Sequence, residues 1–249
     1  MRKPVMAGNW KMYKTPAETT AFFEKFLPMV AQSSHCEIVI CPPYTDLFAA
    51  AAGAKGSAVH IGAQNIAWAK EGAFTGEISG AMIVDAGATY ALVGHSERRQ
   101  YFGETDETVL KRARAALETG LTPIVCVGER LEERECGRTE EVLASQCTNG
   151  IAGLSAAEFE KIVIAYEPVW AIGTGKTATP EIAADAHRCI RAQVRDKFGK
   201  DAAAAVRILY GGSVKPDNAR ALMGQPEIDG VLVGGASLDP TSFASIVNF

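Results

Sequence analysis

Lys161-Ile162-Val163-Ile164-Ala165-Tyr166-Glu167-Pro168 is the stretch whose reading decides the fold. From Ile162 to Tyr166 every side chain is apolar or aromatic, with no polar residue at alternate positions. A strand buried on both faces reads this way. The other runs of the same kind are Val5 to Gly8, Glu37 to Cys41, Val59 to Ala63, Tyr90 to Val93, Pro123 to Val127, Val206 to Tyr210 and Gly230 to Val233; with Lys161 to Tyr166 they make eight. Over 249 residues this leaves about 31 residues per unit, the length of a strand, a loop, a helix and a returning loop.

Helical patterns fill the gaps. Thr15-Pro16-Ala17-Glu18 offers an N-cap, a proline at the first helical position and a capping-box glutamate, and Phe22, Phe26 and Val30 then share one face. Asp106 and Glu107 favour a helix start ahead of Val109, Leu110, Ala113, Ala116 and Leu117. Thr179-Pro180 opens another helix with the stripe Ile182, Ala186, Ile190, Val194 and Phe198, and Gly199 stops it. Alternating strands and helices leave two α/β architectures, a doubly wound open sheet or a closed barrel. Eight units favour closure, so a single-domain (β/α)8 barrel spanning residues 1–249 is expected.

Composition narrows the function classes. The formal net charge is -4, which gives no electrostatic reason to expect a nucleic-acid partner. No apolar stretch is long enough for a membrane span, and Asn9 and Lys11 interrupt the start too early for a signal peptide. The six cysteines (Cys36, Cys41, Cys126, Cys136, Cys147 and Cys189) form no C-x-x-C pair and read as reduced thiols of a cytoplasmic protein. The charged stretch Glu129 to Arg138 reads as a solvated loop and helix entry. The four histidines are scattered and no H-E-x-x-H pattern occurs, so no metal site is expected. Gly8-Asn9-Trp10 lacks the glycines of a dinucleotide fingerprint.

In a barrel of this type the active site lies at the carboxyl ends of the strands. There the sequence places Asn9-Trp10-Lys11, Gly94-His95-Ser96-Glu97, Glu167-Pro168, Gly211-Gly212-Ser213 and Gly234-Gly235. Glycines let backbone N–H groups approach an anion closely, and the loops after strands seven and eight are a recurrent phosphate position. A short helix starting near Gly235 would add its positive end. Gly173-Thr174-Gly175-Lys176-Thr177 is not a P-loop, because the required first glycine is Trp170; it suggests a mobile lid instead. His95 at a helix start would be held neutral yet still donate a hydrogen bond. Glu167, at the end of an apolar run, would have its pKa raised by desolvation and serve as a base. Lys11 reads as a counter-charge for phosphate or enolate, a Schiff-base nucleophile, or a surface lysine.

Together these residues resemble the triosephosphate isomerase family over nearly the whole chain. The matching stretches are Ala7-Gly8-Asn9-Trp10-Lys11-Met12, Gly94 to Arg99, Cys126-Val127-Gly128-Glu129, Ala165 to Lys176, Tyr210 to Val214 and Leu232 to Leu238. The resemblance implies a TIM barrel, no cofactor, and interconversion of dihydroxyacetone phosphate and glyceraldehyde 3-phosphate in glycolysis and gluconeogenesis. It implies Glu167 as the carbon base, His95 as the electrophile and Lys11 as the counter-charge, with Asn9 lining the pocket and Glu97 touching Lys11. It further implies a lid from Pro168 to Ala178, with Gly173, Ser213, Gly234 and Gly235 on the phosphate and Ile172 and Leu232 closing around the base. Gly72-Ala73-Phe74-Thr75-Gly76-Glu77 resembles the family's dimer loop, which implies a homodimer with Thr75 near the neighbouring site. Tyr13 departs from the asparagine that many members carry. The alternative reading is a Schiff-base aldolase on a phosphate-binding barrel, with Lys11 as nucleophile.

Overall fold

The computed structural model describes residues 2–172 and 177–249. Eight parallel strands form one closed barrel: β1 (Val5–Asn9), β2 (Glu37–Cys41), β3 (Val59–Ala63), β4 (Tyr90–Val93), β5 (Thr122–Val127), β6 (Val163–Tyr166), β7 (Arg207–Tyr210) and β8 (Gly230–Val233). Each strand pairs with the next, and β1 closes the ring by pairing with β8, Val5 opposite Gly230 and Ala7 opposite Leu232. Every predicted strand is present. β6 and β7 begin later than the apolar runs suggest: Ile162 is buried but lies outside the strand, and Val206 caps the helix that precedes β7.

The continuous apolar runs have a simple cause. Residues alternate between the barrel interior and the helix-facing side, and both sides are dry. Val5, Ala7, Val39, Cys41, Leu92, Cys126, Ala165 and Leu209 belong to one buried cluster inside the ring. Met6, Ile38, Ile40, Val93, Val125 and Ile164 belong to a second cluster, with the apolar stripes of the helices.

Those helices follow the predicted signals. Pro16–Val30 starts with the Thr15 N–H donating to Glu18 Oε2 at 2.8 Å and buries Phe22, Phe26 and Val30; Phe26 stacks on Phe243, ring centroids 5.4 Å apart. Asp106–Glu118 buries Val109, Ala113 and Ala116. Pro180–Phe198 is capped by Thr179, whose hydroxyl accepts the Ile182 N–H, and stops at Gly199 with φ +92°. At the amino-terminal end of the barrel, Glu37 accepts from Tyr90 and Arg207, and Asp229 from Arg2, Arg191 and the Ile208 N–H.

Candidate active site

β1 ends in Asn9, whose buried side chain accepts the Lys11 N–H at 3.0 Å. This turn forces Lys11 to φ 52°, a conformation that non-glycine residues rarely hold unless their surroundings impose it. Gln64 supplies the constraint, donating to the carbonyls of Lys11 (2.8 Å) and Cys41 (2.9 Å). The Lys11 ammonium then pairs with Glu97 Oε1 at 2.5 Å, and its stem passes Gly234 so closely that a Cβ there would lie 3.6 Å from Cε.

β4 leads into the helix Ser96–Tyr101, with His95 as its N-cap residue. The Glu97 N–H donates to His95 Nδ1 at 3.3 Å, which assigns the ring proton to Nε2. That nitrogen lies 2.8 Å from Glu167 Oε1. Glu167 follows β6 and is 2 % exposed; its Oε2 accepts the Ser96 N–H at 2.9 Å. Gly211, after β7, fits against it: a Cβ there would lie 3.0 Å from Glu167 Cγ.

The raised pKa expected for Glu167 is not found. Burial pushes the carboxyl up, but His95, the Ser96 N–H and Lys11 outweigh burial and hold it below the ordinary carboxylate value. His95 departs in the opposite direction from the expected one. Burial opposes charge on the ring, yet the Glu167 carboxylate, with Glu97 behind it, carries its proton affinity above the ordinary imidazole value. Both departures share their leading cause, the 2.8 Å contact between the two groups. If Glu167 moves off His95 toward a ligand, both shifts lose that cause and burial weighs more heavily, upward on the carboxyl and downward on the imidazole.

A cavity of about 320 Å³ opens at this end of the barrel. Among the described residues, Asn9, Lys11, His95, Glu167, Ile172, Ser213, Leu232, Gly234 and Gly235 all line it. These segments are far apart in sequence, and the closed topology brings them together. A short 3₁₀ helix, Gly235–Leu238, begins where a helix start was expected. Glu97 stands outside the lining and reaches the site through Lys11. Thr75 is elsewhere, exposed on its own loop between Gly72 (φ +131°) and Gly76 (φ +93°). Gly173 and the centre of the expected lid lie outside the described residues.

Two functional neighbours escape the sequence reading. Gln64 holds the Lys11 turn, as described above. Glu129 contradicts the solvated reading of Glu129 to Arg138: it is fully buried, and its Oε1 accepts the Trp170 indole N–H (2.9 Å) and the Tyr166 hydroxyl (3.1 Å), with Arg134 at 3.3 Å. The signal was available, since Glu129 follows the apolar run Pro123 to Val127 much as Glu167 follows its own. The helix Leu131–Glu135 beyond it has no buried residue, as expected.

The family model described as Triosephosphate isomerase matches residues 4–249. A triosephosphate isomerase of Solibacter usitatus is 76 % identical over the whole of both chains. One of Citrifermentans bemidjiense is 54 % identical over all of this chain and 99 % of its own. The crystal structure of triosephosphate isomerase from Bartonella henselae superposes with a TM-score of 0.89 at 38 % identity, covering 99 % of this chain and 98 % of that one. The chain therefore belongs to the triosephosphate isomerase family, the enzymes that interconvert dihydroxyacetone phosphate and glyceraldehyde 3-phosphate.

Proposed function

We propose that Glu167 and His95 carry this isomerisation by moving protons on opposite sides of one substrate. The observation that supports it is their placement side by side on the wall of a cavity whose rim also holds Lys11, Ser213 and Gly234-Gly235. The phosphate docks on the backbone N–H groups of Ser213, Gly234 and Gly235, with Gly173 joining them from the lid, and Asn9 borders the sugar carbons. Glu167 leaves His95 and removes a proton from the carbon next to the carbonyl. His95 donates its Nε2 proton to the carbonyl oxygen, giving an enediol, and takes a proton back from the neighbouring oxygen. Glu167 returns its proton to the adjacent carbon, so charge and atoms balance. Lys11 offsets the negative charge of the enediolate and phosphate, and Glu97 holds it in place. Closure of residues 168–178 presses Ile172 and Leu232 around the carboxylate and excludes water, which raises its basicity.

Family membership gives the aldolase alternative no support, and the Lys11 ammonium sits in an ion pair rather than poised as a free amine. The chain acts as one domain over residues 1–249, in the cytoplasm, within glycolysis and gluconeogenesis, without nucleic acid or membrane as partner. All six cysteines are free, and no helix among the described residues is long and apolar enough to cross a membrane. The working form is a homodimer with Thr75 reaching the neighbouring site; exposed Met12, Tyr13, Phe74, Met82 and Phe102 offer apolar surface for it. Sedimentation should give twice the chain mass.

A coupled assay of the purified protein on glyceraldehyde 3-phosphate tests the chemistry. Glu167→Asp draws the base back by one methylene. It should lower kcat strongly and leave KM within about threefold. Normal kcat with a large rise in KM would overturn the role given to Glu167.

A further inference from the structure

The loop after β8 is held by two residues that do not line the cavity, Ser237 and Trp10. Ser237 is fully buried. Its backbone N–H and its hydroxyl both donate to the Gly234 carbonyl, at 2.8 and 2.7 Å. The peptide between Gly234 and Gly235 is trans, so its N–H points away from its C=O. Two donors that hold the Gly234 carbonyl toward the buried side turn the Gly235 N–H the other way, where both glycines line the cavity. Gly235 opens the 3₁₀ helix Gly235–Leu238, and the first N–H groups of a helix have no partner within it.

Ser237 is in turn fixed from β1. Its carbonyl accepts the Trp10 indole N–H at 3.0 Å. Trp10 is fully buried and stands edge-on to Phe22, ring centroids 4.8 Å apart, with the Lys14 ammonium 5.3 Å from its own centroid. Gly8 leaves room for this contact: a Cβ there would fall 2.8 Å from Ser237 Cβ and 3.3 Å from the Phe243 ring. Trp10 also precedes Lys11 in the chain. One brace thus joins the loop that carries the counter-charge to the loop that receives the phosphate.

We infer that Ser237 and Trp10 are positioning residues for the substrate phosphate. Ser237 aims the Gly235 N–H into the cavity, and Trp10 sets where that N–H stands relative to the Lys11 ammonium. The inference rests on the phosphate docking at Gly234-Gly235. A hydrogen bond weakens steeply once its donor is mis-aimed, so loosening the brace costs the interaction with phosphate first. A substrate without phosphate makes no use of that interaction.

The test compares glyceraldehyde 3-phosphate with phosphate-free D-glyceraldehyde, the second followed by NMR at high enzyme concentration. Ser237→Ala removes one of the two donors to the Gly234 carbonyl. Trp10→Phe removes the indole N–H and keeps an aromatic ring. In both, kcat/KM for the phosphorylated substrate divided by that for glyceraldehyde should fall by about threefold or more. A smaller fall in either folded variant would overturn the inference, since a general loosening of the barrel lowers both substrates together. Gly235→Asp separates this from failure of the docking site itself. A Cβ there meets nothing within 4 Å, and the added carboxylate repels phosphate. Inhibition by inorganic phosphate should be lost in Gly235→Asp. If it stayed at the parent level, the docking site would be wrong and the inference would go with it. Lost inhibition there, beside an unchanged ratio in Ser237→Ala, would remove the inference alone.

Discussion

Glu129 and Glu167 stand just beyond the ends of neighbouring strands, β5 and β6, and both are buried, 0 % and 2 % exposed. Their partners differ in kind. Glu129 is held by the Trp170 indole, the Tyr166 hydroxyl and Arg134, and Arg134 also lies over the Trp170 ring at 4.5 Å. Its own carbonyl accepts the Val169 N–H. Glu167 has the Ser96 N–H, the His95 imidazole and the Cys126 thiol as partners, and it lines two cavities. Burial alone therefore does not make a base. The carboxylate also needs space to move and partners that a substrate can replace, and these belong to Glu167.

The largest expected difference between the two is chemical. Glu167→Gln keeps the shape and an oxygen for the Ser96 N–H but cannot take a proton. Its kcat should fall on the order of 10²–10⁴-fold, with the melting temperature almost unchanged. Glu129→Ala should show the reverse pattern. It leaves a buried indole N–H and a buried hydroxyl unpartnered beside an uncompensated arginine, and should cost about 3 kcal/mol in urea unfolding. Its kcat should fall far less than in Glu167→Gln. If the two variants exchanged these phenotypes, the division of roles between the strands would be wrong.

The barrel was legible because a (β/α)8 core is dry on both faces of every strand, and that leaves runs such as Ile162 to Tyr166 with no polar interruption. The rim was legible because residues that line the cavity follow such runs directly, so Asn9, His95, Glu167 and Gly234 could be picked by position. Glu129 was lost for a physical reason. Its successors Leu131 to Glu135, four of them charged, do form a helix without a buried residue, and the average of the stretch hid the one carboxylate that turns inward. Gln64 carries no charge, and its importance arises from a strained turn at Lys11 that only the folded chain creates. The pKa of Glu167 was misjudged because burial can be read from a sequence, whereas a 2.8 Å contact with a residue 72 positions away cannot.

The smallest effect lies one contact behind Glu129. The His187 ring stands edge-on to Tyr166, centroids 5.8 Å apart, and its Nδ1–H donates to the Glu227 carbonyl at 3.1 Å. The ring is fully buried. Burial, aided by Arg191 and only partly opposed by the Glu227 bond, pushes its pKa down to about 3. Below the ordinary imidazole value the unfolded chain binds a proton that the folded chain refuses, so stability falls as pH drops from there toward 3. At pH 5 the loss from this one ring is about 2 kcal/mol. His95 carries the opposite sign: its raised affinity contributes at low pH and fades as pH rises through its folded value. Subtraction separates the two. His187→Gln keeps a donor for the Glu227 carbonyl and does not titrate, so the stability gap between parent and variant should narrow by about 2 kcal/mol between pH 7.5 and pH 5, read by urea unfolding at each pH. A constant gap would mean that the ring accepts a proton in place, and that the wall behind Tyr166 yields more readily than the fixed partners of Glu129 imply.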